Sequence, residues 1–142
     1  MLFRSLLQFR NGAVVTITMS FDVAGHKHVP LEIYGTEATL IVPDPNHFGG
    51  QIETLKKGGE WTNVETDMPY WDGNFRSIGL ADMAHAIRGN RPHRANGDLA
   101  LHVLEVMEAF GRASDAGNTI AMTTTVERPA PLSESLVNGQ LS

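Results

Sequence analysis

SIGLADMAHAIRGNRPHRANGDLALHVLEVMEAFGRASDAG, residues 77–117, decides the fold. It reads as two helices joined by a short Arg/Pro/His turn. In the first helix Leu80, Met83, Ala84 and Ile87 recur at i, i+3, i+4 and i+7, while Asp82, His85 and Arg88 take the other side. That pattern predicts one apolar stripe turned toward a core. Gly89 and Asn90 end the helix because both tolerate the left-handed conformation of a helix C-terminus, and Pro92 prevents its resumption. Asn96 is the expected cap of the second helix. Its side-chain oxygen can accept from the free amides of Asp98 or Leu99, and Asp98 adds negative charge at the positive end of the dipole. Leu99, Val103, Val106 and Phe110, widened by Leu104 and Met107, form the second stripe; His102, Glu105, Glu108 and Arg112 are expected in water.

Upstream the chain is written as strands. Residues 2–10 and 13–23 are rich in Leu, Phe, Val, Ile and Thr, and Asn11-Gly12 between them is suited to two positive φ angles in a tight hairpin. Val15, Ile17, Met19 and Phe21 alternate with Thr16, Thr18 and Ser20, leaving one face apolar and the other set with small hydroxyls. Residues 31–34 and 39–42 pair around Gly35-Thr36-Glu37, and Pro43 and Pro45 stop the second of these. Residues 51–55 and 61–66, joined across Lys57-Gly58-Gly59-Glu60, form a more polar hairpin nearer an edge. Every connection is too short for a crossover, so the strands are antiparallel. Residues 67–75, DMPYWDGNF, are an aromatic loop leading to the first helix, and residues 118–122 read as a short last strand. The fold class is therefore α+β: an open, mainly antiparallel sheet of about six strands with two helices packed on one face. The expected domain runs over residues 1–126, followed by an extended or frayed tail, 127–142, with Pro129 and Pro131.

Composition bounds the partners. A length of 142 residues suits one domain with its own core, and 42% hydrophobic with 19% charged residues does not suggest disorder. The formal net charge of -5, with only 11 Lys and Arg scattered along the chain, argues against nucleic acid. No apolar run reaches the roughly 20 residues of a membrane helix, and the first twelve residues are too interrupted to be a secretory signal. Absence of cysteine excludes a disulfide framework and a thiol nucleophile. A cytoplasmic location is expected.

Several segments resemble one family. LEIYGTEATL (31–40) is similar to the E-I-x-G-x-x-G-x-L hairpin of the C-terminal domain of Gfo/Idh/MocA oxidoreductases, the glucose-fructose oxidoreductase and inositol dehydrogenase group, with Ala38 where many members have glycine. GLADMA (79–84), RPHRANG (91–97) and ERPAP (127–131) add to the match in the same order. The resemblance implies a fold like the C-terminal domain of glyceraldehyde-3-phosphate dehydrogenase, serving as the substrate-binding and subunit-interface half of an NAD- or NADP-dependent sugar or polyol dehydrogenase or reductase. It also implies a Rossmann domain of the parent protein as partner, a small sugar-like substrate and a homo-oligomer formed through the sheet. No G-x-G-x-x-G lies at a strand-to-helix junction and the family's E-K-P lysine is missing, so the Rossmann domain is expected to be absent from this chain. With no catalytic, cofactor-binding or metal-binding residue read in it, the chain alone is expected to be inactive. The alternative is a non-catalytic module that self-associates through its open sheet face or binds a sugar.

Six residues are candidates for substrate binding. Asp22, His26 and His28 lie where the family's strand end and loop approach the substrate, and can hydrogen-bond hydroxyls. Trp71, Asn74 and Arg76 precede the first helix, where a ring can stack on a sugar face and the helix N-terminus favours an oxyanion; the alternative is that they plug the core. The four-residue spacing of Asp22 and His26 falls at a strand end, so the two need not share a face. His26-Lys27-His28 places two imidazoles on one side of an extended segment but has no third metal ligand at fixed spacing. His85 and His102 read as local partners of Asp82 and Glu105, and Arg91, His93 and Arg94 as a solvated basic turn that could also grip an anion.

Overall fold

A computed structural model describes residues 2–133 and residue 141. The elements are β1 (Leu2–Gln8), β2 (Val14–Ser20), β3 (Leu31–Tyr34), β4 (Ala38–Val42), β5 (Ile52–Lys56), β6 (Trp61–Val64), α1 (Ile78–Gly89) and α2 (Gly97–Ala116). The α+β class holds, and all strand pairs are antiparallel. The six strands do not make one sheet, however. They divide into a two-stranded sheet, β1-β2, and a four-stranded meander, β3-β4-β5-β6. Each hairpin is fixed by its own turn, whereas joining two sheets needs pairing between distant segments that no local pattern specifies. Tertiary contacts follow a similar division into two compact units, Met1–His28 with Glu105–Met122, and Val29–Leu104 with Thr123–Ser142.

In the first unit the β1–β2 turn is built differently from the expected two-residue loop. Phe9 and Ala13 close it with an N–H to C=O bond of 2.9 Å, and Gly12 N–H donates to Phe9 O, also at 2.9 Å. Only Gly12 has positive φ, +88°, while the Asn11 side-chain oxygen accepts from Ala13 N–H at 3.1 Å. This is a three-residue loop in which glycine takes the left-handed place and asparagine braces the turn. Residues 118–122 form no strand.

In the second unit β6 lies at a sheet edge, as its polarity suggests, and β5 is internal. Asn90 ends α1 with φ 50° and ψ 46°, the left-handed cap expected of it. Asn96 caps α2, its side-chain oxygen accepting from Leu99 N–H at 2.8 Å. Ser77, by contrast, makes no side-chain cap.

The helix faces correct the stripe reading. The buried residues among those described are Tyr70, Asp82, Ala86 and Ala109. On α1 the inner side is therefore Asp82 and Ala86, one turn apart, and Leu80 and Ile87 are exposed. On α2 His102 and Glu105 are half-buried, expected in water though they were, alongside Leu99, Val106 and Phe110. Val103, Leu104 and Met107 are exposed. The inner face of each helix is thus rotated away from its most apolar line. On α1 the physical reason is local: the donors that a buried carboxylate needs lie in the turn that follows.

Candidate functional site

Two loops of the second unit build the most structured surface feature. Pro43 ends β4, and Asp44 starts an Asx turn, accepting from Asn46 N–H on its side-chain oxygen at 2.8 Å and from His47 N–H on its carbonyl at 3.0 Å. Gly49, at φ +81°, follows. A Cβ there would stand 2.8 Å from the Trp71 carbonyl, so glycine permits this loop to lie directly against residues 67–76. The second loop is anchored by rings. Phe75 meets Tyr70 edge-on at 5.0 Å and Phe48 at 5.5 Å, with interplanar angles of 82° and 85°. Tyr70 holds φ +60°, an unusual backbone for a bulky side chain, in the place its ring burial dictates. Arg76 then reaches across, its Nη2 donating to Asn46 O at 2.8 Å and to Asn46 Oδ1 at 3.3 Å.

The structure thus brings Trp71, Asn74 and Arg76 onto one loop clamped to residues 44–50. Trp71 is half-buried, and Asn74 and Arg76 are exposed. Asn46, Phe48 and Tyr70 were not anticipated; the Asx-turn signal Asp44-Pro45-Asn46 was readable, but its partner lies 30 residues on. Asp22, His26 and His28 belong to the first unit, in the segment after β2, and all three are exposed. Asp22 N–H donates to Ser20 Oγ at 3.1 Å, and the His26 and His28 rings stack with centroids 6.2 Å apart. No group of three or more His, Asp or Glu able to hold a metal occurs among the described residues.

The basic turn between the helices is committed internally. Asp82, 3% exposed, accepts from Arg91 Nη2 at 2.8 Å, from Arg94 N–H at 2.8 Å and from Arg94 Nη1. Burial pulls its carboxyl upward, but the Arg94 N–H and the two guanidinium groups outweigh that and hold it below the usual carboxylate range. Arg94 also donates to Ala130 O at 2.9 Å and to Pro131 O at 3.2 Å, fastening the segment that follows residue 126. His85 does not take the role of partner to Asp82, and His102 Nδ1 lies 2.7 Å from Thr124 Oγ1. On the edge strand β3, the Tyr34 hydroxyl donates to the Glu32 carboxylate, which raises its pKa.

Among the described residues no glycine-rich turn joins a strand directly to a helix N-terminus. A pyrophosphate is held where a glycine-rich turn joins a strand directly to a helix N-terminus. Here residues 65–77 separate β6 from α1, Gly49-Gly50 and Gly58-Gly59 join strand to strand, and Asp98 in the first turn of α2 opposes an anion. No helix among the described residues is long and apolar enough to cross a membrane.

A family model described as the oxidoreductase family, C-terminal alpha/beta domain (Gfo/Idh/MocA), matches residues 2–122. No curated protein and no solved structure matches the chain significantly.

Proposed function

Because the chain belongs to the C-terminal alpha/beta domain family of the Gfo/Idh/MocA oxidoreductases, we propose that it forms the substrate wall and a subunit interface of an NAD(P)-dependent dehydrogenase or reductase. The substrate class is a sugar, polyol or related hydroxy compound. The match over residues 2–122 carries this reading. The clamped loop 67–76 supports it, because Trp71 offers a ring for stacking while Asn74 and Arg76 offer donors to hydroxyls from a backbone fixed by Tyr70 and Phe75. Asp22, His26 and His28 are proposed as a second set of polar contacts. The nicotinamide supplies hydride chemistry from a nucleotide-binding domain other than residues 2–122; this chain binds and orients the substrate and is inactive alone.

Two measurements test the reading. Calorimetric titration with a panel of sugars and polyols should give saturable heat, reduced about tenfold or more in affinity by Trp71→Ala. NAD(P)-dependent turnover should be nil for the chain alone and appear when a nucleotide-binding domain is joined to it. Turnover by the chain alone, or titration without heat in both forms, would refute it.

A further inference from the structure

We propose that Arg76 recognises a carboxylate, so that the substrate is a sugar acid rather than a neutral sugar or polyol. This narrows the substrate class proposed above and rests on it. Arg76 differs from the arginines that follow it. Arg91 and Arg94 are half-buried against the Asp82 carboxylate, and their charge is cancelled inside the fold. Arg88, in the last turn of α1, is exposed and has no partner among the described residues. Arg76 is held, but by oxygens that carry no charge: Nη2 donates to Asn46 O at 2.8 Å and to Asn46 Oδ1 at 3.3 Å. Its Nε and Nη1 hydrogens have no partner among the described residues, and the side chain is exposed.

The nearby carboxylates leave that charge standing. Asp44 accepts from Asn46 N–H and lies 3.8 Å from His47, and neither Asp44 nor Asp72 pairs with Arg76. A guanidinium does not lose its proton, so a full positive charge stands on the clamped loop that also carries Trp71 and Asn74. Arginine gives up much rotamer freedom when it is fixed, and Asn46 fixes it before any ligand arrives, which lowers the entropy lost on binding. The charge count selects the anion. One guanidinium matches one negative charge, whereas a phosphate monoester carries roughly 1.5 to 2 at pH 7 and would stand partly unmatched on the loop that holds Asp72. With Nη2 engaged by Asn46, the carboxylate is met by Nη1 or Nε through a charge-assisted bond, and the sugar hydroxyls fall to Asn74.

Calorimetric titration of the chain with glucuronate and glucose, which share a ring and differ in the group at C6, tests the assignment. At low ionic strength glucuronate should bind about fivefold more tightly, the scale of an exposed charge pair. Salt at about 0.5 M should bring that ratio toward one and leave glucose affinity unchanged. Arg76→Gln, which keeps a neutral donor, should weaken glucuronate binding about fivefold more than glucose binding. The salt series is read on the wild-type chain, so it decides the matter even where Arg76→Gln fails to fold. Equal affinities, a ratio indifferent to salt, or a ratio that survives Arg76→Gln would overturn the carboxylate assignment and leave the neutral-sugar reading in place. Glucose 6-phosphate bound more tightly than glucuronate would overturn it in favour of a phosphate. No heat with any of the three would overturn the substrate wall itself, and this assignment with it.

Discussion

On one side of α1 a carboxylate is buried, and on the other Leu80 and Ile87 stand 67% and 73% exposed. Hydrophobicity alone would turn this helix over. Burying a charge costs several kcal/mol unless hydrogen bonds and opposite charge offset it. Asp82 receives three donors from Arg91 and Arg94, all in the turn closing onto the helix, so the offset is built into a stretch of thirteen residues, 82–94. The apolar side has no comparable local partner. The contrast shows that helix orientation here follows where donors converge before it follows the apolar stripe.

The largest expected effect is on the polar side. Asp82→Ala leaves two guanidinium groups and the Arg94 N–H without their acceptor, and should destabilise the chain by about 3 kcal/mol at neutral pH. Urea unfolding would show it as a lowered midpoint with an unchanged slope. A loss below about 1 kcal/mol would mean that the cluster is incidental and the contrast with the apolar side false.

Acid should separate the two sides next. The Asp82 carboxyl is held below its usual value in the folded chain, so the unfolded chain binds its proton first as pH falls. The stabilisation is complete above the ordinary carboxylate pKa of about 3.9 and is lost as pH drops through the lowered folded value. Wild type should therefore lose stability more steeply than Asp82→Ala below about pH 4. Parallel pH profiles of the two proteins would contradict the assignment.

Local chemistry was legible in the sequence and distant pairing was not. Asn90 and Asn96 stand where helix-end physics puts them, because a cap involves only residues within one turn. The hairpins around 11–12, 35–37 and 57–60 followed from turn residues between apolar runs. The separation of β1-β2 from β3-β4-β5-β6 was not legible, since hairpin edges carry no address for one another. The sequence pairs Asp82 with His85, three residues on, whereas its partners are nine and twelve residues on, past a helix end that a single-helix projection ignores. In the candidate site, Trp71, Asn74 and Arg76 are legible from their position before α1. The brace of Arg76, Asn46, is not, because it joins two loops with no shared periodicity.

A middle-sized effect tests the local class. Asn96→Ala removes the acceptor of Leu99 N–H at 2.8 Å and should cost about 1 kcal/mol. Asn96→Ser, which keeps a capping oxygen, should recover most of it. An equal loss for both would assign the effect to something other than the cap.

The smallest expected effect lies on the apolar side, and its size decides what that side is for. Ile87→Ser removes a side chain that this chain leaves largely in water, and isoleucine and serine have similar helix propensities. The unfolding free energy of the dilute chain should therefore move by no more than about 0.5 kcal/mol. Leu80→Ser should behave alike. If the same substitutions cost more as protein concentration rises, the apolar side of α1 is covered by association. A large cost that is independent of concentration would instead require Ile87 to be buried within the chain, and the exchange of roles between the two sides of α1 would fail.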